Sequence, residues 1–220
     1  MSADAIKSNV KVCMFDQYGT VVDMQGGLVA IATPFLKAKG WSGDPNSFVT
    51  WWRRTHFENS MIDALLHREH TPYREIGHRA VAYVMDRAGI AYSSDEVRYL
   101  VSEIEKLKPF PEVPAALEKL HTRYRLVVLS NGDPDMLETA KRYHNIPFDR
   151  VISVAEAGSF KPHVATYTKA AELLRLNCSS PTTLSTASAR KRQACARPSS
   201  TGAAGRSVRR RTSRIFLSRA

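Results

Sequence analysis

Cysteine is scarce in this chain. Cys13, Cys178 and Cys195 are odd in number and show neither metal nor redox spacing, which argues against a disulfide framework and suggests a reducing cytoplasm. Long apolar runs are missing too. None approaches the roughly 18 to 20 residues that a spanning helix needs, and the opening MSADAIKSNVK is too polar for a signal peptide, so membrane classes are set aside. The third absence is of acid at one end: residues 178–220 hold ten Lys or Arg and no Asp or Glu. The 220 residues carry +11 in all, yet residues 1–177 carry only +1. A charge of that size ordinarily points to phosphate or membrane partners. Here it belongs to one segment, and the body is electrostatically ordinary.

The body has strong periodic signals. VKVCMF (10–15) is a short apolar run rich in β-branched residues that ends in the polar turn DQYGT, the pattern of a buried strand feeding a functional loop. Between Pro45 and Leu66, the apolar residues Phe48, Trp52, Ile62 and Leu66 recur at helical spacing. Ile76 to Met85 repeats the pattern and stops before Gly89. A Ser93-x-x-Glu96 capping box then opens a third helix through Val97, Leu100, Val101 and Ile104. After Pro109 helix and strand alternate: helix EVPAALEKLHTRY, strand RLVVLS, loop NGDP, helix DMLETAKRYH, strand RVISV, loop EAGSFKPH, helix VATYTKAAELLRL. Regular alternation predicts a doubly wound, Rossmann-like α/β core with a parallel sheet, whose ligands bind beyond the carboxyl ends of the strands. The boundaries expected are 1–23 and 106–177 for that core, 24–105 for an inserted helical cap, and 178–220 for a basic tail that is non-native or disordered.

Three loops on that sheet edge offer Asp16, then Ser130 and Asn131, then Lys161. A strand-end aspartate can attack electrophilic carbon or phosphorus and form an ester. A neighbouring hydroxyl or amide can orient the carboxylate, and a lysine can hold it ionised and balance the charge of a substrate. Taken alone, each residue has an ordinary structural explanation: Asp16 as a turn residue, SNGDP as a plain turn, Lys161 as a solvated side chain.

In order and position, FDQYGTVVD, LSNGDP and FKP resemble the first three motifs of the haloacid dehalogenase superfamily, and residues 11–175, with LKPFPEVPAALEKL before the second strand, are most similar to its type II 2-haloacid dehalogenase and haloacetate dehalogenase branch. Phosphatases of the superfamily carry a second Asp two residues after the nucleophile, where it protonates a leaving alkoxide and helps organise Mg²⁺. That position is Tyr18 here. A halide leaves without a proton, so a dehalogenase needs neither that acid nor a metal, and no cofactor is expected.

The resemblance implies that Asp16 displaces halide from C2 of a haloacid with inversion, and that water then hydrolyses the ester. Thr20, Ser130 and Lys161 match residues that position and stabilise the nucleophile. Arg53 in WWRRTHFEN matches the cap arginine that meets substrate and departing halide, a role that suits a guanidinium, with Arg54 as its alternative. Asn131 matches the halide pocket, Tyr18 would line an apolar pocket, and Tyr167 matches a tyrosine near the lysine, although its helix spacing also fits plain core. Gln17, where the family often has an apolar residue, bears on substrate range. His56 and His163 are candidate proton carriers that read equally as bystanders. The implied partner is a small 2-haloacid, acted on by a homodimer.

The family's fourth motif, approximately S-x-N-x-F/W-D-x-x-G-A, has no counterpart after Lys161. Arg, Ala, Ser, Pro and Gly are what GC-rich coding DNA yields out of frame. Reading each codon of SSPTTLSTASARKRQACARPSSTGAAGRS one base earlier permits FVANHAFDSIGAKAAGMRTAFIDRRGRPF, which contains N-x-x-F-D-x-x-G-A followed by helix and strand patterns. A frame change near Asn177 or Cys178 is therefore expected, with a poorly folded, weakly active or inactive product. Two other readings remain. One is a Mg²⁺-dependent phosphatase or phosphonatase on the same fold, against which Tyr18 stands. The other is a nucleic-acid-binding protein using the basic tail, which has Phe216 as its one aromatic where such arms interleave several.

Overall fold

The computed structural model describes residues 10–66 and 69–176, and the backbone of 215–219. Apart from those last five residues, the tail expected to be non-native lies outside the described residues. Strand β1 (Val10–Phe15) is followed by four helices: α1 (Met24–Ala38), α2 (Pro45–Leu66), α3 (Tyr73–Arg87) and α4 (Ser94–Ser102). Then come α5 (Val113–His121), β2 (Arg125–Ser130), α6 (Pro134–His144), β3 (Arg150–Ser153) and α7 (Val164–Leu173).

The sheet order is β3-β2-β1-β4, where β4 is Ile215–Arg219. Strands β1, β2 and β3 are parallel, with Phe15 beside Val128 and Ser130 beside Ser153. Strand β4 runs antiparallel along the other edge of β1, with a register shift between Val10 and Val12. An uncovered edge of β1 would present a row of unpaired backbone N–H and C=O groups. The segment that covers it contains IFL, the one part of the tail whose composition suits a core. Both middle strands are buried over nearly their whole length, as a sheet flanked by helices requires.

Two sequence expectations for the helices are corrected. Helix α1 (MQGGLVAIATPFLKA) was not expected, because Gly26, Gly27 and an internal Pro34 obscure its stripe of Met24, Leu28, Ala32 and Leu36. Asp23 caps it, accepting from the N–H of Gly26. In α2 the buried stripe runs at strict four-residue intervals through Phe48, Trp52, His56, Ser60 and Ala64, so small and polar residues take positions that Ile62 and Leu66 were expected to fill. Those two are half exposed. The Ser93–Glu96 capping box forms in both directions.

Helix α2 packs on α1 and α3, and α3 on α4. The chain enters and leaves this helical group side by side: the N–H of Asp23 donates to the carbonyl of Lys108 (3.0 Å), and that of Phe110 to the carbonyl of Val21 (3.1 Å). A paired link of this kind sets the helices over the carboxyl ends of the strands.

Candidate active site

Register puts the nucleophile candidate in place. Asp16 follows the Phe15–Val128 pair at the end of β1, which sets it beside Leu129 of β2. The chain then turns at once, because the carbonyl of Gln17 accepts N–H bonds from Thr20, Val21 and Val22, and Gly19 adopts φ +86°, a conformation that favours glycine. Lys161 reaches in from the loop after β3. Its Nζ lies 2.5 Å from Asp16 Oδ1 and donates to the Leu129 carbonyl at 2.7 Å. Its backbone N–H donates to Asn131 Oδ1 at 3.0 Å. One lysine thus ties together all three strand-end loops. The Asp16 side chain keeps 22% exposure against 12% for Lys161, so the carboxylate remains reachable while its counter-ion is sheltered.

The other predicted residues fall into two groups. Thr20 Oγ1 stands 3.4 Å from Asp16 Oδ2, a long contact. Ser130 is fully buried, and its Oγ accepts from the N–H of Gly132, so its visible work is to shape the Asn131–Gly132 turn. Ser153, not picked out from sequence, braces the same turn by donating to the Gly132 carbonyl at 2.7 Å. The Gln17 side chain is buried, and its Nε2 has no partner among the described residues. Tyr167 is buried on α7 within the hydrophobic core.

Opposite the sheet edge, α2 and α3 bring up the second wall. Arg53 lies against the turn after Asp16: a Cβ on Gly19 would come within 3.3 Å of its Nη2. Its Nη1 donates to Gln25 Oε1 at 2.7 Å, and Gln25 in turn donates to Asn46 Oδ1 at 2.8 Å. Burial lowers the Arg53 pKa somewhat, with Tyr73 and Asp23 opposing. Arg54 points the other way, pairing with Glu58 at the surface, so it is Arg53 that faces the turn after Asp16.

Tyr73, absent from the sequence-based set, is the residue around which the aromatic rings gather. Its ring stacks parallel to Tyr18 (6.0 Å, 1°), lies 3.9 Å from His56 and 6.4 Å from Phe160. Burial pushes its hydroxyl well above the ordinary tyrosine range; the Asp16 charge adds to this and Arg53 opposes it, so the phenol stays protonated. Tyr18 is raised likewise, chiefly by burial, and its hydroxyl has no partner among the described residues. His56 is not a proton carrier here: burial lowers its pKa to about 4, and its neutral ring donates from Nε2 to the Tyr73 carbonyl at 3.0 Å. His163 caps α7, its Nδ1 accepting from the N–H of Ala165. Gln25 and Tyr73 carry no local motif; only long-range packing of α1 and α3 brings them here.

A carboxylate paired with a lysine and faced by an arginine, beside a cluster of aromatic rings, suits attack on a small anionic substrate. A model of the haloacid dehalogenase-like hydrolase family matches residues 10–182. The (S)-2-haloacid dehalogenase of Xanthobacter autotrophicus is 30% identical over 167 residues, covering 75% of this chain and 63% of that protein. Haloacetate dehalogenase H-2 of Moraxella sp. (strain B) is 27% identical over 161 residues, covering 72% of this chain and 69% of that protein. The crystal structure of a defluorinating L-2-haloacid dehalogenase superposes with a TM-score of 0.71 at 26% identity, covering 77% of this chain and 70% of that one. The X. autotrophicus L-2-haloacid dehalogenase with chloropropionic acid covalently bound gives 0.66 at 27% identity, covering 74% and 64%. The chain thus spans less than two thirds of the length of the X. autotrophicus enzyme it matches.

Proposed function

The chain belongs to the haloacid dehalogenase-like hydrolase family, and from that premise we propose that it hydrolyses short 2-haloalkanoic acids to 2-hydroxy acids through an ester on Asp16. The observation that carries this reading is the Lys161–Asp16 ion pair at the strand ends, with Tyr18 where a phosphatase needs its acid. Oδ1 is held by Lys161, which leaves Oδ2, only loosely contacted by Thr20, to attack C2. The carbon–halogen bond breaks with its electron pair on the halide, which needs no proton. Arg53 receives the substrate's anionic end and the departing halide, Asn131 borders the halide, and Tyr18, Gln17 and Tyr73 bound the carbon chain. Water then adds at the Asp16 carboxyl carbon. The 2-hydroxy acid leaves with one proton, the other goes to solvent, and the carboxylate is restored.

The same reading takes residues 24–105 as the cap and the protein as a cytoplasmic homodimer without a specific nucleic-acid partner. Phe57, Ile62, Leu65 and Leu66 are each at least half exposed on α2, and this much uncovered apolar surface supports self-association. It also includes a changed reading frame near Asn177 or Cys178, supported by a family match that stops at residue 182. Frame restoration requires a Leu184 codon ending in T and a Ser185 codon ending in G, which the coding DNA decides. The catalytic test is halide release from chloroacetate and 2-chloropropionate, expected weakly from the 220-residue chain, strongly from the chain with its frame restored, and abolished in Asp16→Asn. Mg²⁺-dependent phosphate release from a phosphomonoester, with no halide release, would replace this reading with a phosphatase.

A further inference from the structure

An aspartate preceding a helix ordinarily accepts N–H bonds from that helix's own first turn. Asp133 occupies this position for α6, yet makes no such bond. Its Oδ1 instead accepts from the N–H of Tyr73 at 2.8 Å, and its Oδ2 from the N–H of Arg74 at 2.9 Å. These are the first two amides of α3, whose own N-cap residue, Pro72, offers no side-chain acceptor. The carboxylate is buried at the N-termini of two helices, where their dipoles favour an anion. The Arg74 side chain adds a second tie across the same gap, reaching Glu105 at 2.9 Å and Asp135 at 2.8 Å.

The first residue of the clamped helix is Tyr73, whose ring meets Tyr18, His56 and Phe160 beside Asp16 and Arg53. We propose that Asp133 is a positioning residue: by fastening the start of α3 to the SNGDP loop, it fixes Tyr73 as a rigid wall of the site and so restricts the site to short-chain haloacids. The substrate half of this proposal rests on the dehalogenase reading; the clamp rests on geometry alone. Released from Asp133, the first turn of α3 frays, the Tyr18–Tyr73 stack loosens, and the recess widens for a longer chain.

The test uses the 220-residue chain with Asp133→Ala and Asp133→Asn, the second keeping shape and one acceptor in case the first fails to fold. In Asp133→Ala the amides of Tyr73 and Arg74 exchange with solvent at least about tenfold faster, while Val127 and Leu129 of β2 keep their rates. Asp133→Asn releases one of the two amides. The preference for chloroacetate over 2-chlorobutyrate narrows at least about fivefold, through KM for the longer acid rather than through kcat. Unchanged exchange at Tyr73 and Arg74 overturns the clamp, and faster exchange with an unchanged substrate preference overturns its role in selection. If neither the parent chain nor the frame-restored chain releases halide from either acid, the dehalogenase reading and the substrate half fail together, and exchange still decides the clamp.

Discussion

The two walls of the site are built by different means. The sheet edge carries Asp16, Lys161, Thr20 and Asn131, placed by strand register and by loops a few residues long, so that position along the chain nearly dictates position in space. The helical wall carries Arg53, Gln25, Tyr73 and His56, which come from three helices and are held by side chains reaching between elements. On the proposed reading the first wall supplies the attacking carboxylate and its counter-charge, and the second supplies the arginine that meets the substrate's anion together with the shape of the site. Damage to the first should therefore stop the chemistry, whereas damage to the second should shift binding, selectivity or stability.

Lys161→Ala gives the largest effect expected of that contrast outside the nucleophile itself. Removing the ammonium leaves the Asp16 carboxylate without its counter-charge, and halide release should fall on the order of a hundred- to a thousandfold, mostly in kcat. Next comes Arg53→Lys, which keeps a charge but loses the planar fork that meets Gln25 and an anion together. It should lower kcat/KM by roughly ten- to a hundredfold, mostly through KM. Should the two variants show the same kcat and KM pattern, the division of labour between the walls is wrong.

That division also tracks what was legible in the sequence. Strands β1 to β3, the α5–α7 alternation, the capping box and the sheet-edge residues were readable because each depends on local periodicity or a short motif, whereas β4 falls in the segment read as a non-native tail. Tyr73 was not, since its role follows from Asp133 capping a helix far away in the chain, and the turn SNGDP reads the same whether its aspartate caps its own helix or another. Helix α1 was hidden by its two glycines and its proline. The α2 stripe differs from the expected one because burial there falls on His56 and Ser60, each donating to a backbone carbonyl, and not on Ile62 and Leu66.

A smaller effect tests how the helical wall is held. His56 is neutral when folded, with a pKa of about 4, whereas the unfolded chain takes up a proton near the ordinary value of 6.5. Between those values the unfolded state binds more protons, so stability falls as pH drops from about 6.5 toward 4, by up to ~3 kcal/mol from this group. His56→Gln, which keeps a donor for the Tyr73 carbonyl, should flatten that part of the profile. Urea unfolding at pH 7 and pH 4.5 checks this: an identical acid loss in variant and parent would mean that His56 is not the buried neutral group described.

On the proposed reaction path Asp16 becomes esterified. The most direct measurement of this is the mass of the peptide carrying Asp16 after brief exposure of the 220-residue chain to 2-chloropropionate and an acid quench. Displacement of chloride by the carboxylate predicts a gain of ~72 Da on that peptide and none in Asp16→Asn. In the 220-residue chain, without the fourth motif, the added mass should decay more slowly than in the frame-restored chain. Chloride release with Asp16 unmodified at every quench time would contradict the account.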